Sequence, residues 1–419
     1  MKSTSPVWHP FTQHAMQPEA TLIARGEGAW LETADGRRIF DAISSWWVVT
    51  HGHRHPHIVR AIKDQADRLD QVIFAGFTHA PAEQLARRLV AITPPELDYV
   101  FFSDSGSTSV EVALKMALGF WRHRGENRSR ILALQDAYHG DTIGGMSVGE
   151  RGVFNAPYDP LLFQVDRLPF PSADHEQATL DALQTACRNG GVAALIAEPL
   201  ILGAGGMLIY PPWVLAEMKR ICQAHGVLFI ADEVMTGWGR TGTLFACEQA
   251  GITPDIACYS KGLTGGSLPL AVTLCRADIF DAHYSTDRTR TFFHSSSYTA
   301  NPIACAAALA NLEIWDTEPV MERITRLASW HATRLDRFRD DRRFKNVRQI
   351  GTIAALDVVA GDAGYMANIG PSLHQSFRER GLLVRPLGNT IYLMPPYCSS
   401  EADLDLVYDA IGEIADGIG

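Results

Sequence analysis

Between residues 99 and 259 the chain repeats one rhythm: a short apolar run, a polar or Gly-rich turn, then a segment whose apolar positions recur at helical spacing. The runs YVFF (99–102), ILAL (131–134), AALIA (193–197), VLFIA (227–231) and IACY (256–259) predict strands. Several are apolar at consecutive positions, as burial on both faces requires. Strands alternating with helices predict an α/β fold with a mostly parallel central sheet. The segment SVEVALKMALGFW (109–121) places Val110, Ala113, Leu114 and Ala117 on one face, which predicts a helix covering that sheet. Glu111 and Lys115 are spaced to pair one turn apart on it. The Ser/Gly turn before it predicts an N-cap at Ser107, Thr108 or Ser109.

Near residue 315 the pattern changes to a charged helix (EPVMERITRLASWHATRLDRFRDDRRF), after which strands and helices alternate less regularly. A large domain over 56–315 and a smaller α+β domain over 316–419 follow from this change. Residues 1–55, rich in Trp and turn signals, form an N-terminal segment expected to pack with the small domain. Within it GEGAWLETADGRRIFDA predicts a hairpin turning at Asp35 and Gly36.

With 419 residues, 46% of them hydrophobic, the chain can bury more than one core, which excludes a small disulfide-held or disordered protein. Its 37 Lys+Arg against 47 Asp+Glu, net −10, argue against nucleic acid and anionic membranes as partners. Seven scattered cysteines without a CxxC pair suit a reduced, cytoplasmic compartment. The opening MKSTSPVWHPF lacks an apolar signal core, and no run approaches the roughly 18–20 apolar residues of a membrane span.

In open α/β sheets ligands bind beyond the carboxyl ends of the strands, so the residues that follow each run are the candidates for chemistry. After YVFF comes SDSGSTSVEV, a helix-opening turn whose free N–H groups and hydroxyls can cup an anion. After ILAL come Tyr138, His139 and Asp141, an aromatic beside ionisable groups. AALIA leads to Glu198, and VLFIA leads straight into Asp232 and Glu233, where an ionised group needs a cationic partner to offset desolvation. IACY leads to Lys261, one of six lysines and the only one at a strand end. Amine, carboxylate, aromatic and anion cup together match the needs of pyridoxal phosphate. The amine bonds the aldehyde, the carboxylate pairs with the protonated ring nitrogen, the aromatic covers the ring, and the helix start neutralises the phosphate.

These residues resemble the class III, fold-type I aminotransferases, most specifically in LFIADEVMTGWGRTG and the YSKGLTGG that follows. The segments WHPFTQH (8–14), DAISSWWVVTHGH (41–53), DAYHGDTIGGMSV (136–148) and LLVRPLGNTIYLMPPY (382–397) are similar to a biotin-pathway subgroup of that family. That subgroup aminates 8-amino-7-oxononanoate to 7,8-diaminononanoate with S-adenosylmethionine as donor, in two ping-pong half-reactions.

The resemblance implies that Lys261 holds the cofactor, Asp232 pairs with its ring nitrogen, Gly106 and Ser107 bind its phosphate, and Tyr138 stacks on its ring. Glu198 belongs to the pocket's carboxylate network. Trp46 walls the substrate chain with Trp47 beside it, Arg385 pairs with the substrate carboxylate, and Tyr392 lines the same pocket. Arg240 lies near the amino donor, engaging a donor carboxylate or the network around Tyr138 and Asp141. Ser296 and Ser297 reach the phosphate of a partner subunit's cofactor, with Ser295 nearer the substrate, so the site is expected at a homodimer interface.

Two positions depart from the family pattern. Phe11 stands where a tyrosine hydroxyl would meet substrate, which leaves lysine or another amine open as donor. Ser297 stands where a Thr is expected and keeps the hydroxyl. His51, His53, His55 and His57 alternate in HGHRHPH, as a metal site could, but no accompanying ligand cluster has metal spacing, so no metal is expected. GAGGM (203–207) and LTGGS (263–267) lack the GxGxxG pattern of dinucleotide binding and predict turns that let backbone come close. An ω-amino acid:pyruvate transaminase is the nearest alternative. A non-catalytic cofactor-binding regulator and an NAD-dependent dehydrogenase rank behind it.

Overall fold

The computed structural model describes residues 5–17 and 19–417, so the first four residues of the N-terminal reading lie outside the described residues. Seven strands form the central sheet, in spatial order Tyr99–Ser103, Ala271–Cys275, Ile256–Tyr259, Leu228–Asp232, Val192–Ala197, Arg130–Leu134 and Asp166–Leu168. All neighbours are parallel except Ala271–Cys275, which runs antiparallel to both of its own. The five runs read from the pattern are all strands of this sheet.

Two strands were not anticipated. Asp166–Leu168 is three residues long with two charged positions, too short to show a period. Ala271–Cys275 has an apolar pattern, but no local signal says that it returns antiparallel into the sheet.

Consecutive apolar positions make sense once both faces are seen to be covered. Leu132, Leu195 and Phe229 join one core, whereas their neighbours Ile131, Ile196 and Ile230 join another on the opposite face. The helix Gly106–His123 lies on the second face, with Val110, Ala113, Leu114 and Ala117 buried as its period predicts. Its N-cap is Ser105, two to four residues earlier than expected: Ser105 Oγ accepts from Thr108 N–H while Thr108 Oγ1 accepts from Ser105 N–H. Gly106 and Ser107 therefore belong to its first turn. Glu111 and Lys115 each take another partner, since Glu111 Oε1 accepts the Gly144 N–H and Lys115 Nζ donates to the Phe293 carbonyl. Tertiary neighbours outbid an exposed pair worth only a few tenths of a kcal/mol.

A third core sits beside these two. The hairpin at Asp35–Gly36 joins Trp30–Thr33 to Arg38–Asp41, and Leu382–Leu383 adds in parallel to Arg38–Asp41, tying the N-terminal segment to the C-terminal one. Phe344–Ile350, Ile353–Val358 and Thr390–Leu393 make a separate antiparallel sheet, backed by Val320–Arg339 and Glu401–Asp416. The helix Pro302–Thr317 is apolar nearly all round because it serves two of these cores, giving Cys305, Ala308 and Leu312 to the sheet-face core of Leu132 and Phe229 and Ala307, Ala310 and Ile314 to the third. Among the described residues no helix is long and apolar enough to cross a membrane.

Candidate active site

The carboxyl ends of the parallel strands open on a cavity of about 420 Å³. Gly106, Ser107, Tyr138, Asp141, Glu198, Asp232 and Lys261 line it from the sheet side, as strand-end placement predicts. Phe11, Trp46, Trp47, Arg385 and Tyr392 line it from the N-terminal and C-terminal segments. A second chamber of about 430 Å³ adjoins the first, sharing Tyr138, Gly140, Asp141, Phe154 and Tyr365 among its lining residues.

Lys261 sits directly after its strand in a left-handed backbone conformation, φ 48°, which turns its side chain toward the strand-end carboxylates. Burial lowers its amine from 10.5 to about 8, against the opposing pull of Asp232 and Glu198. Asp232 is nearly buried; its Oδ2 lies 2.7 Å from His139 Nδ1 and its Oδ1 accepts the Val234 N–H. Glu198, pushed up to about 7 by burial, accepts from the N–H groups of Tyr138 and Gly203 and so sets the start of the Tyr138 loop. Burial, then neighbouring Asp141, raises the Tyr138 phenol well above its ordinary value and keeps it neutral. Gly140, φ 111°, lets its loop press on the first helical turn: a Cβ there would collide with Ser107, whose Oγ accepts the Asp141 N–H.

The opposite wall is built on an unusual backbone. Ser44, Ser45, Trp46 and Trp47 all have positive φ (52°, 48°, 83° and 71°), a left-handed turn without glycine, closed by Trp47 N–H to Ile43 O and Val48 N–H to Ser44 O. Each such residue costs about 1–2 kcal/mol relative to the right-handed form. Trp47 is buried, its Nε1 donates to Tyr392 Oη, and its ring lies 4.3 Å from Lys261 Nζ. Trp46 stays at the rim, edge-on to Phe11 and 5.3 Å under the Arg385 guanidinium. Arg385 donates to the Phe11 carbonyl and has no carboxylate partner among the described residues, leaving its charge for a ligand.

Four candidates lie elsewhere. Arg240 is not at the cavity surface or in the network of Tyr138 and Asp141. It is fully buried and donates to the carbonyls of Trp47, Val49 and Pro395, because three inward-facing main-chain oxygens need a donor where water has no access. Ser295, Ser296 and Ser297 sit outside the cavity of this chain; Ser296 Oγ bonds Asp104 Oδ2, and the Ser297 carbonyl accepts from Gln71. The four histidines of HGHRHPH take four different partners, Asn311, Asp41, Glu318 and Glu313. Among the described residues no group of His, Cys, Asp and Glu could hold a metal.

Sequence reasoning left His139 unassigned although it stands on the same strand end; its pairing with Asp232 was the missing fact. Met235, three residues beyond the strand Leu228–Asp232, also lines the cavity and was within reach of the strand-end rule, whereas nothing in the sequence neighbourhood of Phe154 and Tyr365 announces that they line it too.

A buried amine facing a buried carboxylate, with an aromatic and a helix start at the same rim, defines a site for pyridoxal phosphate. The residues fit the group: Lys261 for its aldehyde, Asp232 for its ring nitrogen, Tyr138 for its face and the Gly106–Ser107 turn for its phosphate. The chain belongs to the class-III aminotransferases, whose family pattern matches residues 11–415. It is 49% identical, over the full length of both chains, to the adenosylmethionine-8-amino-7-oxononanoate aminotransferase of Synechococcus elongatus. It is 41% identical to the enzyme of that name from Nitratidesulfovibrio vulgaris, covering 97% of this chain and 80% of the relative. Among solved structures, the adenosylmethionine-8-amino-7-oxononanoate aminotransferase of Methanocaldococcus jannaschii superposes with a TM-score of 0.94 at 33% identity, covering 99% and 97% of the two chains. A PLP-bound amine transaminase from an uncultivated Pseudomonas species gives 0.93 at 32% identity over all of both chains.

Proposed function

We propose that this aminotransferase makes 7,8-diaminononanoate from 8-amino-7-oxononanoate in biotin synthesis, with S-adenosylmethionine as amino donor. The observation that carries the reading is the convergence of Lys261 and Asp232 on one cavity whose far wall presents an uncompensated Arg385, set beside the full-length likeness to enzymes of that name. Pyridoxal phosphate, when bound, supplies the electron sink that makes a carbon bearing an amine acidic. Lys261 Nζ, with an amine already lowered by burial, is the base that takes the proton from that carbon and, within the same half-reaction, the acid that passes it on to the cofactor side; the second half-reaction runs the same two roles in reverse order. Asp232, anchored by His139 and Val234, is the carboxylate that would pair with the ring nitrogen.

Tyr138 covers the ring, and Gly106 and Ser107 hold the phosphate. Glu198 orients the Tyr138 loop through the Tyr138 N–H. Trp46, Trp47 and Tyr392 form an apolar wall for the ketone's carbon chain, and Arg385 binds its terminal carboxylate through a charge-assisted fork. The second chamber, which adjoins the first at Tyr138 and Asp141, gives room for a bulky donor. Ser296 and Ser297 complete the phosphate site of a partner subunit, with Ser295 toward its substrate, in a cytoplasmic homodimer.

Phe11 favours a second reading, a transaminase of other ω-amines, because it removes a hydroxyl that would meet the donor. The deciding experiment supplies purified holoenzyme with 8-amino-7-oxononanoate and one donor at a time: S-adenosylmethionine, lysine, or simple ω-amines with pyruvate as acceptor. Diamine formed with S-adenosylmethionine alone supports the first reading. Turnover of ω-amines with pyruvate and none of 8-amino-7-oxononanoate replaces it with the second.

A further inference from the structure

We propose that buried Asp41 is a positioning residue that holds the left-handed turn Ser44–Trp47 closed and thereby keeps the Trp47 indole against the Lys261 amine. The proposal rests on reading Lys261 as the lysine that holds the cofactor, and it adds a device behind the opposite wall. Four consecutive non-glycine residues at positive φ persist only where their surroundings over-determine them. Asp41 supplies the tie at the start of the turn. It has no solvent exposure; its Oδ1 accepts the Ser45 N–H at 2.8 Å, and its Oδ2 accepts the Ser45 hydroxyl at 2.6 Å and lies 2.8 Å from His53 Nε2. Without that carboxylate the Ser45 N–H would be a partnerless donor. Ser44 Oγ, at the first residue of the turn, donates to the Met394 carbonyl, and beyond its end Arg240 donates to the Trp47 and Val49 carbonyls.

The consequence is geometric. The left-handed turn directs two adjacent tryptophans to one cavity, Trp46 to its rim and Trp47 to its floor, where Tyr392 holds the indole N–H and the ring face covers Lys261 Nζ. An indole so placed excludes water from one side of the amine. The charged groups acting on that amine are Asp232, Glu198 and Arg240, and burial outweighs the two carboxylates to keep it near 8. Opening the turn lets water in and returns the amine toward its ordinary value, because desolvation is the larger influence and the favourable cation–ring contact the smaller.

The test uses cofactor-free protein, so that it does not depend on catalysis: trace acylation of Lys261 by acetic anhydride as a function of pH, read by peptide mass spectrometry. Wild type should titrate near 8. Trp47→Ala and Asp41→Ala should each move the midpoint up by about one pH unit, which is about tenfold less labelling at pH 7. Asp41→Asn, which keeps an oxygen for the Ser45 N–H, should restore most of the wild-type profile. A lesion that only lowers stability would leave the Lys261 profile in place, so a folded Asp41→Ala with wild-type titration overturns the proposal. Trp47→Ala titrating as wild type overturns it as well, and Asn behaving like Ala overturns the part assigned to the Ser45 hydrogen bonds. Should Asp41→Ala fail to fold, Ser45→Ala, which loses only the hydroxyl tie, must show a smaller upward shift, and no shift refutes. Borohydride trapping of the wild-type holoenzyme reports separately on whether Lys261 holds the cofactor.

Discussion

Replacing Lys261 by Met should make the cofactor-free protein more stable at neutral pH, and the gain should vanish in alkali. The amine is lowered from 10.5 to about 8 by burial, so folding disfavours its charged form. Below pH 8 the amine is protonated in folded and unfolded chains alike, and the folded state bears the full penalty. As pH rises from 8 to 10.5 the folded chain releases the proton first, the unfolded chain binds more protons, and stability rises until the penalty is gone. At about 1.4 kcal/mol per factor of ten, the span from about 8 to 10.5 corresponds to roughly 3 kcal/mol. Methionine fills the same apolar channel without a charge, so Lys261→Met should exceed wild type by roughly 3 kcal/mol at pH 7 and match it near pH 10.5. Urea unfolding of both cofactor-free proteins at the two pH values gives the answer, and taking the difference between proteins cancels the titrating groups that do not interact with Lys261, leaving Asp232 and Glu198 as its only named partners of opposite charge. A Met variant no more stable than wild type at pH 7, or a gap that stays constant with pH, would refute the argument that burial governs this amine.

Lys261→Ala should abolish steady-state transamination, and borohydride should no longer attach a pyridoxyl label to the active-site peptide. Asp232→Asn keeps an oxygen for the Val234 N–H but loses the charge beside the ring nitrogen, so kcat should drop at least tenfold while thermal stability changes little; an unaltered kcat would give the ring nitrogen to another residue. Arg385→Ala should raise KM for the carboxylate-bearing ketone about 10- to 100-fold, the equivalent of 1.5–3 kcal/mol for a charge-assisted contact, with little change in kcat. Equal KM values in steady-state assays would remove Arg385 from substrate binding. On the acid side, His51 and His331 are buried and lowered from 6.5 to about 3, so both are neutral in the fold and must charge on unfolding. Stability should therefore hold above pH 6.5 and decline steadily from there toward pH 3; urea midpoints unchanged between pH 6.5 and 4.5 would contradict this.

Much of the site was legible because a parallel sheet turns a one-dimensional fact into a spatial one. Residues that follow a doubly buried strand must emerge at the same edge, so Tyr138, Glu198, Asp232 and Lys261 could be placed together from their positions alone. Apolar runs needing two covered faces announced those strands for the same reason. What stayed hidden depends on contacts distant in the chain. The antiparallel return of Ala271–Cys275, the pairing of His139 with Asp232 and the burial of Arg240 among main-chain carbonyls carry no local signature. The doublet Trp46-Trp47 shows the division most clearly. The family resemblance marked it as wall material, but side chains on consecutive residues share one cavity only because Asp41, four residues before Ser45, together with the Met394 carbonyl and Arg240 from distant segments, holds the backbone in a hand that L-residues avoid. Period and strand-end chemistry are properties of neighbouring residues and are written in the chain; the hand of that turn is decided by partners up to 350 residues away, and only the folded molecule brings them together.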